Sequence, residues 1–302
     1  MFVKFEYEPI IEDFYSNGEM KIETILKILE NSGNKHSDIA GNNILEGSSS
    51  GSAWILTDWY VEIDSYPKYG DKVYAITWSQ GAISLFGSSR DFELYCNDKL
   101  CVKGTTRWVH YDLNAKRPAK ITEELISKYE PETKSVFEDS KLPKIEIPET
   151  FDTEICITPR RNDIDFNHHV HNLVYLDYAM EVIPEEVYNR HNFNKIRITY
   201  KSAVKNGEKI IAKALSNNNE HTICIYGEDN NLKTLIEFAW YFYWIPITVI
   251  LNRHPERACR IVILNSFQDL TTYAKRFRNK FGMTFWLIFI VSSSANSFIF
   301  GN

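Results

Sequence analysis

Three of the chain's eight histidines, His168, His169 and His171, fall within four positions of one another in the run RRNDIDFNHHVHNLVY, residues 160–175. Asp165, Asn167 and His169 alternate there, so an extended backbone would turn all three side chains to one side. A carboxylate, an amide and an imidazole held together can orient a water, polarise a carbonyl and relay a proton, since imidazole titrates near neutral pH. A helix opening just after the run would add unpaired N–H groups and a partial positive end, which suit a developing oxyanion. Two plainer readings stand beside this one. Asp165 and Asn167 can cap the helix and satisfy a turn. The three histidines can bind a metal, although no acid or cysteine stands at a recognisable ligand spacing. Arg160 and Arg161 are either a solvated strand end or a local basic spot for an acidic partner.

The surrounding elements must hold that run in place. MKIETILKILENSGNKHSDIAG (20–41) has Ile22, Ile25, Leu26, Ile28 and Leu29 at helical spacing, with Gly33 and Gly41 toward its end. EGSSSGS (46–52) reads as a flexible connector. Four runs rich in aromatic and β-branched residues follow, AWILTDWYVEI, DKVYAITWS, LFGSSRDFELYC and LCVKGTTRWVHYDL, and CNDKLC between the last two reads as a hairpin turn. Residues 129–150, charged and containing three prolines, read as a linker. The pattern then restarts: a strand in FDTEICITP, a helix at about 172–183, and strands near 195–201, 208–216, 221–227 and 233–244. YPKYGDKV (66–73) is echoed by AVKNGEKI (203–210), each leading into a strand. A helix followed by antiparallel strands, twice over, predicts an α+β chain built from two copies of one fold.

Bulk properties narrow the function classes. The net charge of −6 is unevenly spread: residues 246–302 hold seven Lys/Arg against two Asp/Glu, which leaves −11 on residues 1–245. So acidic a body disfavours nonspecific nucleic-acid binding. Five scattered cysteines, none in a CxxC pair, argue against a disulfide framework and point to a reducing, cytoplasmic setting. The opening MFVKFEYEPI lacks the pattern of a secretory signal. In the tail, MTFWLIFIV is apolar but too short to cross a bilayer, so no membrane anchor is expected of it.

DIDFNHHVHNLVY resembles the D-L-D-x-N-x-H-V-N-N-x-x-Y signature of the acyl-ACP thioesterases, with His171 in place of the first asparagine of the N-N pair. WYVEIDSYPKYGDKVYAITW and SSRDFELY…GTTRWVHYDLNAKRP resemble the first-half motifs of that family. The resemblance, over residues 3–244, implies two tandem hot-dog domains, each a long helix wrapped by an antiparallel sheet. These would span residues 1–128 and 151–245, joined by the linker 129–150 and followed by an atypical tail, 246–302, outside the fold. It implies hydrolysis of a fatty acyl thioester on acyl carrier protein, without metal or other cofactor. Asp165, Asn167 and His169 would be the catalytic residues, and Arg160 and Arg161 would receive the carrier. A hot-dog acyl-CoA thioesterase and a catalytically weakened acyl-binding protein are the alternatives. One departure stands out: the strand after the second helix carries a glutamate in the family, followed in plant members by a cysteine, and here Ala203 and Val204 take those positions.

Overall fold

The computed structural model describes residues 1–42, 51–139, 141–189, 193–217 and 219–240, together with the backbone of four strands beyond residue 246. The chain divides into two compact units, Met1–Tyr241 and Phe242–Asn302. In the first unit, β1 (Val3–Tyr7), α1 (Ile22–Ile39), β2 (Ser52–Ile63), β3 (Val73–Ala82), β4 (Gly87–Cys96), β5 (Lys99–Asp112), the two-residue β6 (Arg117–Pro118) and α2 (Glu123–Ser127) form one half. The other half comprises β7 (Thr153–Ile157), α3 (Val174–Val182), α4 (Glu185–Tyr188), β8 (Lys195–Tyr200), β9 (Ile210–Asn217), β10 (Glu220–Gly227) and β11 (Leu232–Ala239).

These strands make one sheet in the order β1-β3-β4-β5-β2-β8-β11-β10-β9-β7, with β6 attached to β5. Read from its two ends, the sheet gives the same succession twice. This is the expected α+β fold of two tandem hot-dog halves. They meet where β2 pairs antiparallel with β8, Trp59 opposite Ile198 and Val61 opposite Ile196, all four fully or almost fully buried.

Helix α1 forms because its apolar side chains recur on one face. Ile22, Ile25, Leu26, Ile28 and Leu29 are fully buried against the sheet, a stripe that drives the helix onto its neighbour. The approach is close: a Cβ on Gly104 would stand 3.2 Å from Leu29 Cδ1, so β5 has a glycine where the helix crosses it. Gly41, at φ +70°, ends the helix in the left-handed conformation. The second helix is shorter than the expected 172–183. It runs only from Val174 to Val182, since Pro184 holds Ile183 extended at φ −71°, ψ 152°.

The remaining expectations meet mixed outcomes. CNDKLC is a two-residue hairpin, with Asn97 and Asp98 both at positive φ (49° and 64°), as a type I′ turn requires. The same hairpin brings one pair of cysteines together, which the expectation against a disulfide framework did not foresee. Cys96 and Cys101 form a disulfide, their Cα atoms 6.2 Å apart, because the turn folds the two strand ends back beside each other. The connector at 46–50 and the expected strand end at 241–244 lie outside the described residues.

In the second unit, β12 (Ile247–Leu251), β13 (Arg260–Leu264), β14 (Leu287–Ile290) and β15 (Phe298–Phe300) pair antiparallel in the order β13-β12-β14-β15. The apolar run MTFWLIFIV thus contributes a strand. No helix among the described residues is long and apolar enough to cross a membrane.

Candidate active site

The run at 160–175 is not extended. Arg161–Asp163 form a single 3-10 turn, and Ile164 and Val170 then bridge antiparallel, closing residues 165–169 into a tight loop. The Asp165 N–H donates to the His169 carbonyl at 2.8 Å, and the His168 N–H donates to the Asp165 carbonyl at 3.0 Å. His168 stands at φ +61°, a conformation that histidine tolerates better than β-branched residues do. Asp165 Oδ1 accepts the N–H groups of Asn167 (2.8 Å) and His169 (3.2 Å), the side-chain-to-backbone pattern that fixes Asp-initiated turns. The alternation of the three side chains therefore does not place them by strand geometry. The loop does so instead.

Two anchors hold this loop. Asp163, almost fully buried, accepts the Arg160 N–H (2.7 Å), Arg160 Nε (3.0 Å) and the Tyr178 hydroxyl (2.8 Å). Burial opposes its ionisation, but those hydrogen bonds outweigh it and hold its carboxyl below the usual range. On the other side, His169 bridges to Lys205, and the Val170 N–H donates to the Val204 carbonyl at 2.9 Å. Lys205 opens the turn that the sequence echo marks. Its N–H is held by Glu208 Oε2 (3.0 Å), just as Asp71 Oδ2 holds the Lys68 N–H (2.7 Å), with Gly207 and Gly70 at φ +84° and +93°. Glu208 itself pairs with Lys233 at 2.6 Å.

Asp165, Asn167 and His169 line one cavity of about 550 Å³. Its wall also carries Trp54, Leu56, Trp59, Phe92, Trp108, Tyr200 and Tyr175, of which the motif at 163–175 contains only the last. For Trp54, Trp59, Phe92 and Trp108 the advance signal is the aromatic content of the first-half strands, which a packed core would produce equally well. Ala203 lines the cavity too and offers no carboxylate. The Tyr200 hydroxyl donates to the Asn172 carbonyl (2.9 Å), and the Tyr175 hydroxyl accepts the Val204 N–H (3.0 Å). Burial pushes the Tyr175 phenol up to about 12, so both phenols stay protonated at working pH.

His171, in the wall as well, faces Glu30 of α1, Nε2 to Oε2 3.2 Å. The hydrogen bond to Glu30 raises its pKa above the ordinary value against the opposing effect of burial. Arg160 and Arg161 are not in the cavity wall. Arg160 lies across the outside of the loop on Asp163, at 2.8 Å with its side chain 70% exposed, and Arg161 is exposed. Among the described residues no group of three His, Cys, Asp or Glu could hold a metal ion. His36 is a packing residue: buried, it contacts the Tyr129 carbonyl (3.1 Å) and Arg90 (2.6 Å).

Residues 2–129 match the acyl-ACP thioesterase N-terminal domain and residues 148–240 the acyl-ACP thioesterase C-terminal domain. The oleoyl-acyl carrier protein thioesterase 1 (chloroplastic) of Arabidopsis thaliana is 28% identical over 205 residues, covering 62% of this chain and 56% of that protein. The palmitoyl-acyl carrier protein thioesterase (chloroplastic) of the same plant is 30% identical over 197 residues, covering 60% of this chain and 47% of that protein. The chain spans about half the length of these relatives. Among solved structures, an acyl-ACP thioesterase from Bacteroides thetaiotaomicron superposes with a TM-score of 0.70 at 17% identity, over 80% of this chain and 98% of the other. The 12:0-ACP thioesterase from Umbellularia californica gives 0.70 at 19%, over 80% and 97%. At such identities the structures speak for the fold. The two domain matches, lying in order over most of the sequence, speak for descent: the chain belongs to the acyl-ACP thioesterase family.

Proposed function

We propose that this protein hydrolyses the thioester of fatty acyl carrier protein, releasing a fatty acid and the free carrier thiol. The observation that carries this reading is the single cavity joining Asp165, Asn167 and His169 to a wall of Trp54, Leu56, Trp59, Phe92 and Trp108. Its size lies within the range of small-molecule sites, and an aromatic wall suits an alkyl chain. In this reading the Asn167 amide holds the carbonyl or the attacking water, and His169 polarises the thioester or relays a proton. Asp165 sets the loop that presents both. The carrier, an acidic partner, would be received on the exposed face of the loop by Arg160 and Arg161. Fatty acid synthesis is then the source of the substrate.

The test is release of free thiol from acyl-ACP and acyl-CoA of several chain lengths by the purified protein. Turnover on acyl-ACP well above that on acyl-CoA is expected. Preference for acyl-CoA would move the assignment to that carrier. Acyl-ACP binding without turnover would make the protein an acyl-binding one.

A further inference from the structure

Among the described residues the cavity wall holds two carboxylates, Asp165 and Glu30. Asp165 is committed to the loop: its Oδ1 takes two backbone N–H groups, and Oδ2 lies 3.5 Å from the Asn167 amide nitrogen. A proton placed on it would compete with the bonds that shape the site. Glu30 is different. It stands on α1 in the first half, its side chain 14% exposed, and reaches a residue of the second half, His171. The other ring nitrogen of that histidine, Nδ1, accepts the Leu173 N–H at 3.4 Å. The neutral ring therefore carries its proton on Nε2 and donates it to Glu30 Oε2. One carboxylate oxygen is thus oriented, and Oε1 has no hydrogen-bond partner among the described residues.

We propose that Glu30 is the base that activates the hydrolytic water, with His171 as its positioning residue, an assignment that rests on the thioesterase reading above. The water oxygen bonds to the thioester carbonyl carbon as Glu30 takes one water proton, giving a tetrahedral oxyanion. The oxyanion collapses, the C–S bond breaks with its electron pair on sulfur, and the proton held by Glu30 passes to the thiolate. The products are the fatty acid and the free thiol, and the carboxylate is restored. The site thereby draws its base from one half and its carbonyl-holding loop from the other.

The experiment uses the full chain and acyl-ACP. Glu30→Gln keeps the shape and an acceptor for His171 but cannot take the proton. It is expected to lower kcat by about 100-fold or more with KM within about threefold, the usual scale for loss of a general base. Hydroxylamine, a nucleophile that needs no deprotonation, should restore hydroxamate formation by this variant to near the wild-type rate. His171→Ala should lower kcat less, with KM within about threefold, and His171→Gln, which can still donate to Glu30, should recover part of that loss. Wild-type turnover by a folded Glu30→Gln would overturn the assignment. So would a defect that hydroxylamine leaves in place, since that marks a structural role. In either case wild-type turnover on acyl-ACP would still support the thioesterase reading. A wild-type protein without thioesterase activity would overturn the underlying reading as well.

Discussion

The loop at 165–169 has a counterpart in the first half, at 15–19, built on the same frame. Phe14 and Met20 bridge as Ile164 and Val170 do, and Glu19 bridges to Lys68 as His169 bridges to Lys205. Tyr15 N–H meets the Glu19 carbonyl at 2.8 Å, matching Asp165 and His169, and Gly18 at φ +79° stands where His168 stands. Beneath each loop a buried aspartate, Asp13 or Asp163, accepts the N–H three residues before it and a tyrosine hydroxyl. The side chains on the frame diverge. Asp165 and His169 face a cavity, whereas buried Tyr15 points its hydroxyl at Glu23 (3.4 Å). Tyr66, at the position of Ala203 in the echoed turn, bonds the Phe193 carbonyl at 2.5 Å. Burial, and then Asp177, raise the Glu23 carboxyl above its ordinary range. Backbone architecture is duplicated here, while only the second loop carries the proposed Asn167 and His169 into the cavity.

The sharpest test of that contrast is paired mutagenesis. Asn167→Ala and His169→Ala should each lower turnover on acyl-ACP by about 100-fold, as loss of one positioned donor or proton relay does. Asn17→Ala, at the matching position of the first loop, should leave turnover within about twofold. Equal losses in the two loops would erase the distinction. The frame itself should respond alike on both sides. Asp13→Ala and Asp163→Ala each leave a tyrosine hydroxyl and a backbone N–H without their acceptor, at about 2–4 kcal/mol. Calorimetry should show a Tm lower by about 5–15 °C in both.

A smaller effect concerns acid. Burial, and then the Arg90 guanidinium, push His36 down to about 4 from an ordinary 6.5. The unfolded chain therefore binds a proton that the folded one refuses between those values. Stability is complete above pH 6.5 and declines as pH falls toward 4, by up to roughly 3 kcal/mol. The drop in Tm from pH 7 to pH 5 should be smaller in His36→Gln than in the wild type. Least of all should follow from deleting residues 242–302. Every strand of the large sheet finds its partners within residues 1–241, so turnover of the shortened protein should stay within about twofold. An insoluble or inactive product would tie the second unit to the first.

Much of this was legible in the sequence, for reasons the structure makes concrete. The α1 stripe and the four aromatic strands carry their period in the residues themselves, and Asn97-Asp98 announces its turn. The motif named Asp165, Asn167 and His169, which the structure places along one cavity, but it did not reveal the backbone of their loop, because the shape depends on Asp165 accepting nearby N–H groups and on a bridge to Lys205, some forty residues away. Glu30 gave no signal at all. An acid beside Leu29 on an amphipathic helix reads as a solvated position until the fold brings His171 to it. Pairing of Cys96 with Cys101 was missed by reading cysteines as a count when the hairpin between them was already evident.

The β2–β8 seam has a kinetic corollary. Where single hot-dog subunits must find a partner before a shared site exists, dilution dissolves the site. Here both contributors lie on one chain and one continuous sheet, so their encounter is unimolecular and independent of protein concentration. Specific activity should hold constant down to the lowest enzyme levels an assay can read. The covalent link also means that two unlike loops always travel together.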